Sequence, residues 1–172
     1  MTKVNFVILA AGKGTRMRSA LPKVLHKLSG RSMLGHVVAA VESLGKAKKI
    51  IVTGHGAEQV EQQFKSPTTI FTQQKEQLGT GHAVHMAVPE LCSDAVVIVL
   101  YGDVPLIRPA TIQKILAVVT ESAMGLLTIN LDQPTGYGRI VRNTSGDITE
   151  IIEQKDASAE QLKITEVNTG VL

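Results

Sequence analysis

Val7-Ile8-Leu9-Ala10-Ala11-Gly12-Lys13-Gly14-Thr15-Arg16-Met17, with Leu21-Pro22-Lys23 just after it, is an apolar strand running into a loop of small residues and cations. Glycines let backbone N–H groups approach anionic oxygens closely, and Arg16 and Lys23 add charge that a neutral loop lacks. The combination suits a triphosphate. Two familiar phosphate motifs are excluded. No Gly-x-x-x-x-Gly-Lys-Ser/Thr string occurs, and Met17 stands where the dinucleotide fingerprint needs a third small residue. Gly12 and Gly14 alone fit an ordinary strand-to-helix turn equally well; the full string, with Pro22-Lys23 after it, is far more specific.

Outward from this loop, apolar strands alternate with amphipathic helices, and no linker, repeat or low-complexity tract intervenes, so residues 1–172 read as one domain. Phe6–Ala10, Ile50–Thr53, Thr69–Gln73, Val96–Tyr101 and Leu126–Leu131 are short and rich in Val, Ile and Leu, as buried strands of a mainly parallel sheet should be. Ser32 can cap a helix with Met33, Val37, Val38, Val41 and Leu44 on one face and Gly45 at its end. Pro109 can open another helix, carrying Ile112, Ile115, Leu116 and Val119. The pattern is α/β, a doubly wound and predominantly parallel sheet. In such sheets ligands collect at the carboxyl ends of strands.

Composition narrows the classes. Hydrophobic residues make up 44% of the chain, yet there are only three Phe, two Tyr and no Trp, so aliphatic packing must dominate the core. Cys92 stands alone, which excludes an intrachain disulfide, favours a reducing cytoplasm, and reads as a small buried hydrophobe rather than a nucleophile. The longest apolar run, Ala95 to Tyr101, is far short of the ~20 residues of a membrane span. A net charge of +3 is too small to point to nucleic acid. No nucleic-acid or membrane partner is expected. His82 and His85 are spaced to share a helix face, but no third ligand stands in register, so a metal site there is rejected.

Four later segments follow the first loop in order: Gln74-Lys75-Glu76-Gln77-Leu78-Gly79-Thr80-Gly81-His82-Ala83, Leu100-Tyr101-Gly102-Asp103-Val104-Pro105-Leu106, Pro134-Thr135-Gly136-Tyr137-Gly138-Arg139-Ile140 and Asn168-Thr169-Gly170. The first string resembles the signature of sugar-1-phosphate nucleotidylyltransferases. All five together resemble the N-terminal half of the bacterial bifunctional N-acetylglucosamine-1-phosphate uridylyltransferase/glucosamine-1-phosphate acetyltransferases, over essentially the whole chain.

That resemblance implies a Rossmann-like nucleotidylyltransferase fold and a reaction joining UTP to N-acetylglucosamine-1-phosphate, giving UDP-N-acetylglucosamine and pyrophosphate for cell-wall and lipopolysaccharide precursors. It implies nucleotide contacts from Leu9, Ala10, Ala11 and Gly12. Arg16 would cover the leaving pyrophosphate and Lys23 would reach a transferring phosphate. Gln74, Gln77, Gly79 and Thr80 would meet the base, since a side-chain amide offers donor and acceptor to the O4/N3 edge of uracil. Tyr101 and Gly102 precede Asp103, the implied Mg²⁺ ligand; a carboxylate beside a triphosphate makes sense with a divalent cation between them. Gly138, Glu153 and Asn168 would contact the N-acetylglucosamine.

A second metal ligand implied by the family, an asparagine, lies beyond Leu172. The β-helix acetyltransferase domain is absent too, and with it the contacts through which full-length relatives are expected to form homotrimers. The ending Asn168-Thr169-Gly170-Val171-Leu172 reads as mid-strand, so the chain is expected to be a fragment truncated on its C-terminal side. Two alternatives stay open: a nucleotidylyltransferase for another base or sugar, and a module that binds nucleotide-sugar without turnover.

Overall fold

The computed structural model describes residues 3–14 and 17–172, which fall into two compact units, 1–123 and 124–172. The first is built on a four-stranded parallel sheet. Its strands are β1 (Lys3–Ala10), β4 (Lys48–Thr53), β5 (Thr69–Gln73) and β6 (Ala95–Tyr101), in the order β5-β4-β1-β6. A two-residue-per-strand hairpin, β2 (Lys27–Leu28) and β3 (Arg31–Ser32), follows the first loop. Phe6 through Ala10 are all buried, as are Ile50 through Thr53. Successive residues of a strand point to opposite faces, so both faces of the sheet are covered. Truncating a fully buried Ile8 or Ile51 to Ala therefore costs about 2–5 kcal/mol.

Helices α1 (Met33–Glu42), α2 (Ala57–Phe64) and α3 (Thr80–Ala87) lie between these strands, and α4 (Pro109–Val118) follows β6. Ser32 caps α1 as expected: its Oγ accepts the Gly35 N–H at 3.2 Å. Pro109 opens α4, which buries Ile112 and Ile115, while Val119 has left the helix in an extended conformation. Helix α2 was not among the expected helices; Ala57, Val60 and Phe64 share its one apolar face, and of these only Val60 is buried. No helix among the described residues is long and apolar enough to cross a membrane.

The order of connections creates the site. From β1 the chain moves to β4 and then β5 on one side, and after α3 it returns to the other side of β1 as β6. Ligand crevices form where the winding direction reverses, here between the carboxyl ends of β1 and β6. The ends are nearly flush: Leu9 pairs with Tyr101, Ala10 with Thr53, and Thr53 with Gln73. All four following loops thus leave one edge.

The second unit holds an antiparallel sheet of β7 (Thr128–Asn130), β8 (Arg139–Arg142), β9 (Ile148–Ile152) and β10 (Glu166–Asn168), in the order β7-β10-β8-β9. Two readings change here. The Leu126–Leu131 run does form a strand, but it pairs antiparallel with β10 instead of joining the parallel sheet, and Ile129 is exposed. An apolar run announces a strand without naming its partner. The stretch read as strand to Leu172 ends at Asn168, whose Oδ1 accepts the Gly170 N–H at 2.8 Å in a local turn. Arg142 forks onto Glu166 (Nε to Oε2 2.8 Å, Nη2 to Oε1 2.7 Å), and Thr128 Oγ1 donates to the same carboxylate at 2.7 Å, tying three strands together. These charged hydrogen bonds, Arg142 foremost and then Thr128, hold the Glu166 carboxyl at about 2.

Candidate active site

The loop after β1 is held from several directions. Gln77 Nε2 donates to Ala11 O at 2.6 Å. A Cβ on Gly54, just past β4, would lie 2.5 Å from that same oxygen, so only glycine lets this backbone approach. Gly14 has φ +59, and a Cβ there would sit 2.7 Å from Lys23 Cβ. The glycine thus lets the loop lie directly against Lys23. Val24 and Leu25, buried in the turn Lys23–Leu25, anchor that lysine from below. Thr15 and Arg16 lie outside the described residues.

Across the crevice, the Gly102 N–H donates to Leu9 O at 2.9 Å, which extends the β1–β6 ladder past the strand end. Asp103 follows at once, and Lys23 Nζ donates to its Oδ2 at 2.6 Å. The two side chains are 34% and 28% exposed, so a charged pair 80 residues apart in sequence faces a partly open cleft. Among the described residues Asp103 is the one acid lining it.

On the other wall Gln74 is buried, 5% exposed, within the otherwise exposed stretch 73–81. Its main-chain N–H donates to Thr53 O at 2.8 Å. Its Nε2 donates to Gly79 O at 3.0 Å and meets His82 Nδ1 at 3.1 Å. Gly79 (φ +99) starts α3.

The structure therefore gathers Leu9, Ala11, Gly12 and Lys23 with Gln74, Gln77, Gly79, Thr80, Tyr101 and Asp103 around one cleft of about 340 Å³. Ala10 and Gly102 are buried behind its floor. Val24 and Ala83 also line it and were not anticipated; both are plain apolar residues of a turn and a helix and carry no motif. Within the second unit Gly138, Glu153 and Asn168 are neighbours. The Asn168 N–H donates to Gly138 O at 2.9 Å, and a Cβ on Gly138 would lie 3.4 Å from Glu153 Oε1.

Residues 6–157 match the family model of the MobA-like NTP transferase domain. The chain belongs to that family. This NTP transferase is 55% identical over 169 residues to the bifunctional protein GlmU of Burkholderia ambifaria and 54% identical to that of Cellvibrio japonicus, each match covering 98% of this chain. It spans 37% of the length of those relatives. Among solved structures it resembles a UDP-glucose pyrophosphorylase complexed with UDP-glucose (16% identity, 99% of this chain and 75% of that one, TM-score 0.79). It also resembles the inositol-1-phosphate CTP transferase of T. maritima (19% identity, 99% and 70%, TM-score 0.71). At those identities the likeness is one of fold, and the NTP transferase has the expected α/β architecture around its parallel sheet.

Proposed function

We propose that this chain carries the uridylyltransferase activity of a sugar-nucleotide enzyme, transferring uridylyl from UTP to N-acetylglucosamine-1-phosphate with release of pyrophosphate. The observation that carries the reading is the cleft itself. A cation–carboxylate pair lies on one side and a buried glutamine on the other, at the reversal point of the sheet, in a chain 55% identical to a bifunctional protein GlmU.

An oxygen of the sugar phosphate attacks the α-phosphorus of UTP; that P–O bond forms as the bond to the bridging oxygen of the β-phosphate breaks, and pyrophosphate leaves with the electron pair. The attacking oxygen is already anionic, so no general base is required. Positioning and charge stabilisation carry the rate. Lys23, engaged with Asp103 without ligand, exchanges that carboxylate for a phosphate oxygen when the nucleotide enters. Arg16 neutralises the leaving pyrophosphate. Gln74 and the backbone at Gly79 and Thr80 read the base, while Gly138, Glu153 and Asn168 contact the sugar.

A single carboxylate fits Mg²⁺, which takes one or two protein carboxylates and completes its shell with phosphate oxygens and water. Asp103 would hold the ion, whose contribution is to neutralise charge on the phosphates. The test is product formation with UTP, N-acetylglucosamine-1-phosphate and Mg²⁺, followed by ³¹P NMR. UDP-N-acetylglucosamine and pyrophosphate should appear together. Equal rates with CTP, or with glucose-1-phosphate, would overturn the assignment.

A further inference from the structure

We propose that His82 is a positioning residue for base selection: it locks the side-chain amide of Gln74 so that only an acceptor faces the cleft. This rests on the uridine reading above and goes beyond it. Gln74 Nε2 lies 3.0 Å from Gly79 O, an atom that can only accept. Exchanging the amide nitrogen and oxygen would set two acceptors against each other, so the network fixes the orientation. One amide hydrogen goes to Gly79 O, and the second points at His82 Nδ1, 3.1 Å away. Nδ1 must therefore carry a lone pair, and His82 must be the neutral tautomer with its proton on Nε2. An Nδ1–H would place two N–H groups face to face.

Both donors of Gln74 are thus engaged inside the protein. No hydrogen bond among the described residues reaches its Oε1, the one remaining polar atom of a side chain that lines the cleft. A fixed acceptor suits the N3–H of uracil and opposes cytosine, whose N3 is itself an acceptor. Guanine offers a similar N1–H on a larger ring. His82 is not among the cleft-lining residues, so it acts only through Gln74. A freely rotating amide would present either end and accept cytosine as readily as uracil.

The test compares His82→Leu with His82→Asn, whose Oδ1 stands close to where Nδ1 does and can accept the same hydrogen. UTP, CTP and GTP affinities are measured by calorimetry on each folded variant. His82→Leu should weaken UTP binding about 5- to 20-fold, the loss expected for one orienting hydrogen bond at a buried group. CTP should change little, so the UTP-to-CTP ratio collapses, and His82→Asn should restore it. Equal losses for UTP and CTP, or an unchanged ratio, would reduce His82 to a packing residue while leaving the uridine reading intact. A wild-type chain that binds UTP and CTP alike overturns both. Should His82→Leu fail to fold, ¹⁵N NMR of the wild-type imidazole decides the matter: a protonated Nε2 with a bare Nδ1 supports the proposal, and an Nδ1–H tautomer refutes it.

Discussion

Asp103→Asn separates the two roles that the Lys23–Asp103 pair combines. The ions meet at 2.6 Å with side chains 34% and 28% exposed. Coulomb attraction at that distance is about 1.6 kcal/mol in bulk water and about 6 kcal/mol at an effective dielectric of 20. Desolvation and side-chain ordering offset most of it, and for partly exposed pairs the net is about 0–1 kcal/mol. The variant should therefore unfold within about 4 °C of wild type. Removing the carboxylate also frees Lys23 from its partner and removes an anion near the triphosphate. Affinity for UTP without Mg²⁺ should stay equal or rise up to about 5-fold, the equivalent of a further 1 kcal/mol. The gain that Mg²⁺ brings to UTP binding should vanish, and turnover should fall at least about 100-fold. Calorimetry with and without Mg²⁺, beside a thermal melt, reads every term. If metal-free UTP binding drops more than tenfold, or the Mg²⁺-dependent gain survives, Asp103 does not hold the ion and its work is to anchor Lys23.

Gly14→Ala should destabilise by about 1–2 kcal/mol for its left-handed backbone, with overpacking against Lys23 Cβ adding on the order of 1–3 kcal/mol. Gly12→Ala, where an added Cβ meets nothing within 4 Å, should stay within about 0.5 kcal/mol; equal urea midpoints for the two would remove the steric argument. Arg16→Ala should leave the melt nearly unchanged and cut turnover about 100- to 1,000-fold, as for loss of a transition-state charge partner; full retained turnover assigns Arg16 to the solvated surface. Glu166 has its folded carboxyl lowered from 4.5 to about 2 by Arg142 and Thr128, so its stabilising contribution is complete above 4.5 and is lost as pH falls toward 2. The stability gap between wild type and Glu166→Gln should narrow over that window, and a gap independent of pH would contradict the pairing.

Much of the first unit was legible because β1, β4 and the middle of β6 are buried on both faces and so read as Val/Ile/Leu runs, while the edge strand β5 is only half-buried. Thr69–Gln73 matches β5 residue for residue, and the Ser32 cap and the Pro109 start are local chemistry that needs no tertiary knowledge. Helix α2 was not anticipated, although Ala57, Val60 and Phe64 stand at helical spacing; the stripe is narrow and only Val60 is buried. Strands β8, β9 and β10 are three to five residues long and partly exposed, too short for alternation to stand out. The cleft residues were found by motif, but their partnerships were not. Lys23 and Asp103 are 80 positions apart, and a pattern cannot show that they face each other. Gln74 likewise read as offering donor and acceptor, but no pattern shows that its Nε2 meets Gly79 O at 3.0 Å and His82 Nδ1 at 3.1 Å.

The most direct measurement is a calorimetric comparison of UTP and UDP-N-acetylglucosamine with ATP and ADP-glucose on this chain. An acceptor at the buried Gln74, beside the cationic loop proposed to hold phosphates, should make the uridine ligands bind about tenfold tighter or more, a difference of about 1.4 kcal/mol. Equal affinity for uridine and adenine ligands would contradict a uridylyltransferase site.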